Sequence, residues 1–232
     1  MSDINNRYTN FYAKRKHTHV YPTEFVVRTF LSDYPLLNYE RPSNGKNPSK
    51  ILDIGFGDGR NTAFLCEQGY DVYGIEITEA IVEQTKARLI ANKIDPLPDL
   101  RVGRNSNIPY EDNYFNYILA CHSCYYVDDN QSLNDNLKEY YRVLSPSGYL
   151  IASIIHSDNY YMKGASHCDD GSMIIINDPY ETRNGYRLHG FANEKSIEKY
   201  FSSYFHNYSF GSAYNNYYGI DEKVFWVVCQ SL

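Results

Sequence analysis

The sequence predicts an α/β protein: a doubly wound sheet with helices on both faces. Two stretches carry that reading. Ile51 to Ile54 is a short apolar run, read as a buried strand, and the glycines at 55, 57 and 59 turn it into a helix over Arg60 to Gln68. A second strand, Tyr70 to Ile75, then ends on Glu76, nineteen positions beyond Gly57. Without a Cβ, glycine reaches positive φ and lets a ligand approach the backbone, while free N–H groups at the helix start favour an anionic group. An acid at the tip of the next strand is placed to accept hydrogen bonds from ribose hydroxyls. The spacing narrows the ligand. G-x-G-x-G is neither the G-x-G-x-x-G of dinucleotide sites nor a phosphate loop ending in Lys-Ser/Thr.

The other elements follow in order. Residues 1 to 20 are a polar arm with a basic and aromatic cluster from Phe11 to His19, for which a solvated role and a functional one are equally weighted. Pro22 suits a first helical turn, and Val26, Val27, Phe30 and Leu31 fall at helical spacing through about Asp33. Residues 38 to 50 form a loop. Thr78 looks like the cap of a helix to about Asn92, with Ile81, Thr85 and Leu89 inward. Leu100 to Gly103 reads as a third strand and Asp112 to Cys121 as a turn into a fourth. A helix with Leu133, Leu137 and Tyr140 stops before Pro146-Ser147-Gly148, and Tyr149 to Ile155 is the fifth strand. Asn193 caps a last helix, and Tyr204 to Phe210 and Val224 to Cys229 close the sheet as an antiparallel pair, with Phe225 and Trp226 read as packing residues.

At 232 residues the chain suits one sizeable domain, read as residues 1–232. Its net charge of −6, without a run of lysines or arginines, disfavours a grip on nucleic acid. No apolar stretch approaches the roughly twenty residues that span a bilayer, so no membrane association is expected and the location expected is cytoplasmic. Five scattered cysteines suit a reducing compartment. Cys121-x-x-Cys124 has no second pair at zinc spacing, and no metal site is expected.

With Asp53, the three loop glycines and Glu76 in sequence, the chain resembles the class I S-adenosylmethionine-dependent methyltransferases, of the small-molecule, tellurite-resistance and UbiE-like type. The resemblance implies a Rossmann-like seven-stranded sheet of order 3-2-1-4-5-7-6 with strand 7 antiparallel. It implies S-adenosylmethionine as cofactor, the loop holding its methionine portion and Glu76 its ribose. Further cofactor-facing positions are Asn61, Ile77, Asn105, Ser106, Ala120 and His122. Tyr21, before the first helix, occupies the place of an aromatic lid within an N-terminal cap of about residues 1–36, with Arg28 behind it. The chain departs from the family at Arg104, where the common Asp accepts from the adenine amino group and Arg cannot. Strand alternation puts His122 and Cys124 on one face and Cys121 and Ser123 on the other.

Residues 156 to 190 are a long connection, expected to be an acceptor lid containing a small hairpin. Asn177-Asp178-Pro179-Tyr180 within it reads as a turn. A proton-bearing acceptor needs a base, and His156, His189 and Tyr125 are the candidates, with His122 and Glu181 behind them. The expected activity is in-line methyl transfer to oxygen or nitrogen of a small-molecule acceptor by a monomer or homodimer. The alternatives are a cofactor-binding protein of this fold without transferase activity and a protein or RNA methyltransferase. A short-chain dehydrogenase is disfavoured by the glycine spacing and by the absence of Tyr-x-x-x-Lys on a helix after the fourth strand.

Overall fold

The first strand, β1 (Lys50–Ile54), is buried along almost its whole length, which is what a central parallel strand covered on both faces requires. The computed structural model describes residues 2–15, 20–42 and 48–232; Lys16 to His19 of the basic cluster and 43–47 of the loop before β1 lie outside the described residues. β1 pairs in parallel with β2 (Asp71–Glu76) on one side and β4 (Phe115–Ala120) on the other. β3 (Asp99–Val102) extends the sheet beyond β2, and β6 (Leu144–Ile155) lies beyond β4. The long hairpin β10 (Phe205–Tyr217) and β11 (Ile220–Ser231) completes it, with β11 antiparallel to both β6 and β10. The order is β10-β11-β6-β4-β1-β2-β3, which counted along the chain is the expected 3-2-1-4-5-7-6.

Alternation along the strands feeds two cores. Leu52, Ile54, Ile118 and Leu150 point to the face covered by α5 (Leu133–Val143) and α6 (Glu194–Phe201). Ile51, Val72, Tyr117 and Ile151 point to the other, against α2 (Glu24–Leu31) and α3 (Arg60–Glu67). α4 (Glu79–Ala91) starts where Thr78 Oγ1 accepts from Ile81 N at 3.3 Å. Ser132 and Asn193 each form a two-way capping box, so α5 and α6 begin where the side-chain chemistry predicts.

Three local expectations are corrected. The polar N-terminal arm is a helix, α1 (Ser2–Ala13), because Ile4, Tyr8, Phe11 and Tyr12 make an aromatic stripe among the asparagines. β4 stops at Ala120 and residues 121–125 are turns, with His122 at φ 57°, so strand alternation does not sort His122 and Ser123 onto opposite faces. The closing hairpin is also longer than its apolar core: Val224 pairs with Ile155, the last residue of β6, and Ile220 to Lys223 overhang the carboxyl edge of the sheet. Three short strands within 156–190, β7 (Ser166–His167), β8 (Met173–Ile174) and β9 (Arg187–Leu188), form a small antiparallel sheet with β5 (Tyr126–Val127), in the order β5-β9-β8-β7. Among the described residues no helix is long and apolar enough to cross a membrane.

Leu52 is fully buried at the centre of the sheet. Leu52→Ala is expected to lower stability by about 2–5 kcal/mol in urea unfolding, with an unchanged denaturant slope.

Candidate active site

The carboxyl ends of β1, β2 and β4 open onto a cavity of about 560 Å³. Its floor is the glycine loop, held by one carboxylate. Glu76 Oε1 accepts from Gly57 N at 3.0 Å and its Oε2 accepts from Ile77 N at 2.8 Å, so both oxygens are fixed and each keeps a lone pair toward the cavity. Burial pushes the Glu76 carboxyl up to about 6, against those two N–H groups. Gly57 sits at φ 55°, and a Cβ there would run into the Tyr12 hydroxyl. Gly55 sits at φ 68°, and a Cβ would stand 2.7 Å from Ser123 Cβ. Gly59, in the left-handed region, is the cap of α3.

Asp53 lies beneath the loop rather than in the cavity. Its Oδ2 accepts from Thr62 Oγ1 at 2.7 Å, which ties β1 to α3, and burial raises its carboxyl to about 7. Asp58 is gripped by Arg60 (Nε to Oδ1 3.0 Å, NH2 to Oδ2 2.9 Å) and by Arg15; burial opposes its charge, but the two guanidinium groups outweigh it and hold the carboxyl below its usual range. Asn61 lines the cavity and its Oδ1 accepts from Thr23 N at 2.9 Å, fixing the start of α2.

The roof is α1. Tyr8, Phe11, Tyr12 and Arg15 line the cavity, and Thr9 Oγ1 meets Thr78 Oγ1 at 3.0 Å. The same helix reaches the insertion: Arg7 NH1 donates to Glu181 O at 2.9 Å, Tyr186 donates to Ile4 O at 3.1 Å, and the Tyr8 and Tyr126 hydroxyls share a hydrogen bond. One helix therefore bridges the glycine loop and residues 156–190.

Of the residues expected to face the cofactor, Gly55, Gly57, Asn61, Glu76, Ile77, Asn105 and His122 line one cavity. Asn105 Nδ2 donates to Ser123 O and Tyr126 O, at 2.9 and 3.1 Å, and so braces the turn after β4. Ser106 instead donates to Asp128 Oδ2 at 3.3 Å, and Ala120 is buried under the floor. Burial, with Arg183 and Arg60 nearby, lowers the His122 imidazole to about 4, so it is neutral at physiological pH. Tyr21 is 74% exposed and outside the lining, and Arg28 bonds Glu24 and Tyr34 on the exposed side of α2; the aromatic roof comes from α1 because its stripe is the one facing the loop.

The base candidates are corrected too. His156 stacks on Phe225 at 5.2 Å, and its Nδ1 accepts from Asp158 N at 3.0 Å. His189 is buried between Phe191 and Tyr200. Tyr125 is fully buried, with its hydroxyl 3.2 Å from that of Tyr161. None of the three lines the cavity, because each is consumed by packing. Glu181 lies outside the lining as well. Sequence reasoning missed Tyr161, Arg183 and Glu222, which do line it. The α1 stripe was a usable signal for Tyr8 and Phe11, whereas nothing local marks Arg183 or Glu222.

The residues fit an adenosyl sulfonium cofactor. A carboxylate with two free lone pairs faces the ribose position, the glycines leave room a Cβ would fill, and Ser123 Oγ, buried beside Gly55, has no hydrogen-bond partner among the described residues. Residues 52–152 match the family model described as a methyltransferase domain. The chain is 27% identical over 114 residues to norajmaline N-methyltransferase of Rauvolfia serpentina, covering 49% of this chain and 37% of that one. It is 31% identical over 104 residues to demethylmenaquinone methyltransferase of Symbiobacterium thermophilum, covering 44% and 40%. The matches thus span less than half the length of these relatives. A structure of a S-adenosylmethionine-dependent methyltransferase of Thermotoga maritima, described as a possible histamine N-methyltransferase, superposes with a TM-score of 0.62 at 20% identity, over 100% of this chain and 99% of that one. In sheet order, glycine loop and the matched residues 52–152, the chain is similar to the class I S-adenosylmethionine-dependent methyltransferases.

Two outcomes follow from the floor of the site. Gly57→Ala is expected to cost about 1–2 kcal/mol of stability through its left-handed backbone and to abolish the thermal shift given by S-adenosylhomocysteine. For Asp53 the folded carboxyl is raised from 3.8 to about 7, so the stability it contributes when protonated is lost as pH rises through that window. Asp53→Asn, which keeps an acceptor for Thr62, should therefore raise the melting temperature more at pH 8 than at pH 5.

Proposed function

We propose that this chain transfers the methyl group of S-adenosylmethionine to oxygen or nitrogen of a small-molecule acceptor. The observation that carries the reading is the Glu76 clasp on Gly57 at the floor of a tyrosine-lined cavity. Bound there, S-adenosylmethionine supplies an electrophilic methyl group on a sulfonium sulfur. Glu76 accepts from the ribose hydroxyls through the lone pairs its two backbone bonds leave free. Ser123 Oγ and the backbone around Gly55 face the methionine portion, with Asn61 holding α2 in place behind them. Asp128, fixed by Arg104 NH1 at 2.5 Å, presents near Asn105 the carboxylate that position 104 lacks, and accepts from the adenine amino group.

The protein's remaining task is alignment and exclusion of water. α1 and residues 156–190 act as the two halves of a lid, latched by Arg7 to Glu181 and Tyr186 to Ile4. A small acceptor is favoured because α1 and residues 156–190 roof a cavity of about 560 Å³, and because the chain's charge is −6. The two curated relatives and the Thermotoga neighbour, whose names refer to methyl transfer onto small molecules, support the same class.

The test is incubation of the protein with methyl-labelled S-adenosylmethionine and a size-fractionated cell extract. Label should enter the fraction below about 1 kDa and be lost with Glu76→Ala. Label found only in protein or RNA, or in nothing, contradicts the reading.

A further inference from the structure

The chamber beyond the cofactor cradle holds two charged side chains that do not pair with each other. Arg183 reaches it from a turn organised by Asp178, whose carboxylate accepts from Tyr180 N at 3.2 Å, Thr182 Oγ1 at 3.0 Å and Arg183 N at 2.9 Å. That carboxylate also takes Arg183 NH1, at 3.2 Å, so it steers the guanidinium with one of several shared bonds. The guanidinium carbon lies 4.5 Å from the centre of the Tyr161 ring, and the buried Nε has no hydrogen-bond partner among the described residues. A buried donor left unpaired is costly, and an acceptor atom on a ligand removes the cost.

Glu222 arrives from a different element. Because β11 runs antiparallel to β6 and Val224 pairs with Ile155, Glu222 stands past the carboxyl edge of the sheet, where the cavity is. Among the described residues its carboxylate makes no hydrogen bond or ion pair, although it is close enough to Arg183 to feel its charge. Burial pushes its carboxyl above the usual range, and Arg183 pulls the other way. Tyr160 and Tyr161, ring centres 4.8 Å apart and edge to face, line the same cavity and offer aromatic surface that suits a planar ring.

Resting on the methyltransferase reading above, we propose that the acceptor is a small aromatic acid, its carboxylate held by Arg183 and its hydroxyl or amino nucleophile hydrogen-bonded to Glu222. The planar guanidinium fork matches a carboxylate at two points. In the transfer step the nucleophile's lone pair forms the new bond to the methyl carbon, the C–S bond breaks with its electron pair passing to sulfur, and the nucleophile's proton goes to Glu222. Arg183 sets specificity; Glu222 is a catalytic residue.

The experiment measures binding of 4-hydroxybenzoate, 4-aminobenzoate, phenol and benzylamine by calorimetry, to the unloaded protein and to protein loaded with S-adenosylhomocysteine. An acid should bind about tenfold or more tighter than phenol or benzylamine. Arg183→Gln should erase that preference and Arg183→Lys keep part of it. Glu222→Gln should keep it while slowing transfer to the bound acid by about 10²–10⁴-fold. Unchanged affinity for S-adenosylhomocysteine certifies that the variants are folded. Preference for benzylamine or phenol, no binding of either acid, or a preference that survives Arg183→Gln overturns the proposal, as does undiminished transfer by Glu222→Gln. Failure of the wild type to bind S-adenosylhomocysteine instead defeats the methyltransferase reading, and the carboxylate preference is then still read on the unloaded protein.

Discussion

A carboxylate at the tip of one strand holding the backbone N–H of the loop from its neighbour is the constraint on which the site depends. Glu76 can reach Gly57 only because β1 and β2 are adjacent, parallel and in register, from Lys50 opposite Asp71 to Ile54 opposite Ile75. The loop can come to it only because glycine accepts the left-handed backbone. Thr85 Oγ1, donating to Gly57 O at 2.6 Å, closes the loop from the side of α4. Cradle geometry is therefore a property of sheet register and not of any flexible segment.

This arrangement sets function against stability. Asp53 and Glu76 are both buried, and burial raises both carboxyl groups, in Glu76 against the charge that binding a ribose requires. Asp58 escapes the same fate because Arg15 and Arg60 flank it, and Arg15 brings α1 along with it. The ion pair that satisfies one buried carboxylate thus also seats the roof over the cavity.

Most of the fold and the cradle was legible because the information is local. Ile51 to Glu76 is one continuous strand, loop, helix and strand, and each residue's role follows from its neighbours in sequence. The roof was less so, since the asparagines of α1 dilute a stripe of Ile4, Tyr8 and Phe11 that becomes apolar only against the loop and Tyr186. The catalytic end was not legible at all. His156 and His189 are the residue type expected of a base, yet the packing of His156 on Phe225 and of His189 on Tyr200 is decided by how separate elements meet. Arg183 and Glu222 lie thirty-nine positions apart and share a chamber only because an antiparallel strand overhangs the sheet edge.

The central claim is that the clasp between Glu76 and Gly57 is a berth for an adenosyl sulfonium. Competitive calorimetry with S-adenosylhomocysteine and NAD⁺ tests it most directly. One molecule of S-adenosylhomocysteine bound per chain, undisturbed by NAD⁺, is the result expected; binding of NAD⁺ with none of S-adenosylhomocysteine would contradict it.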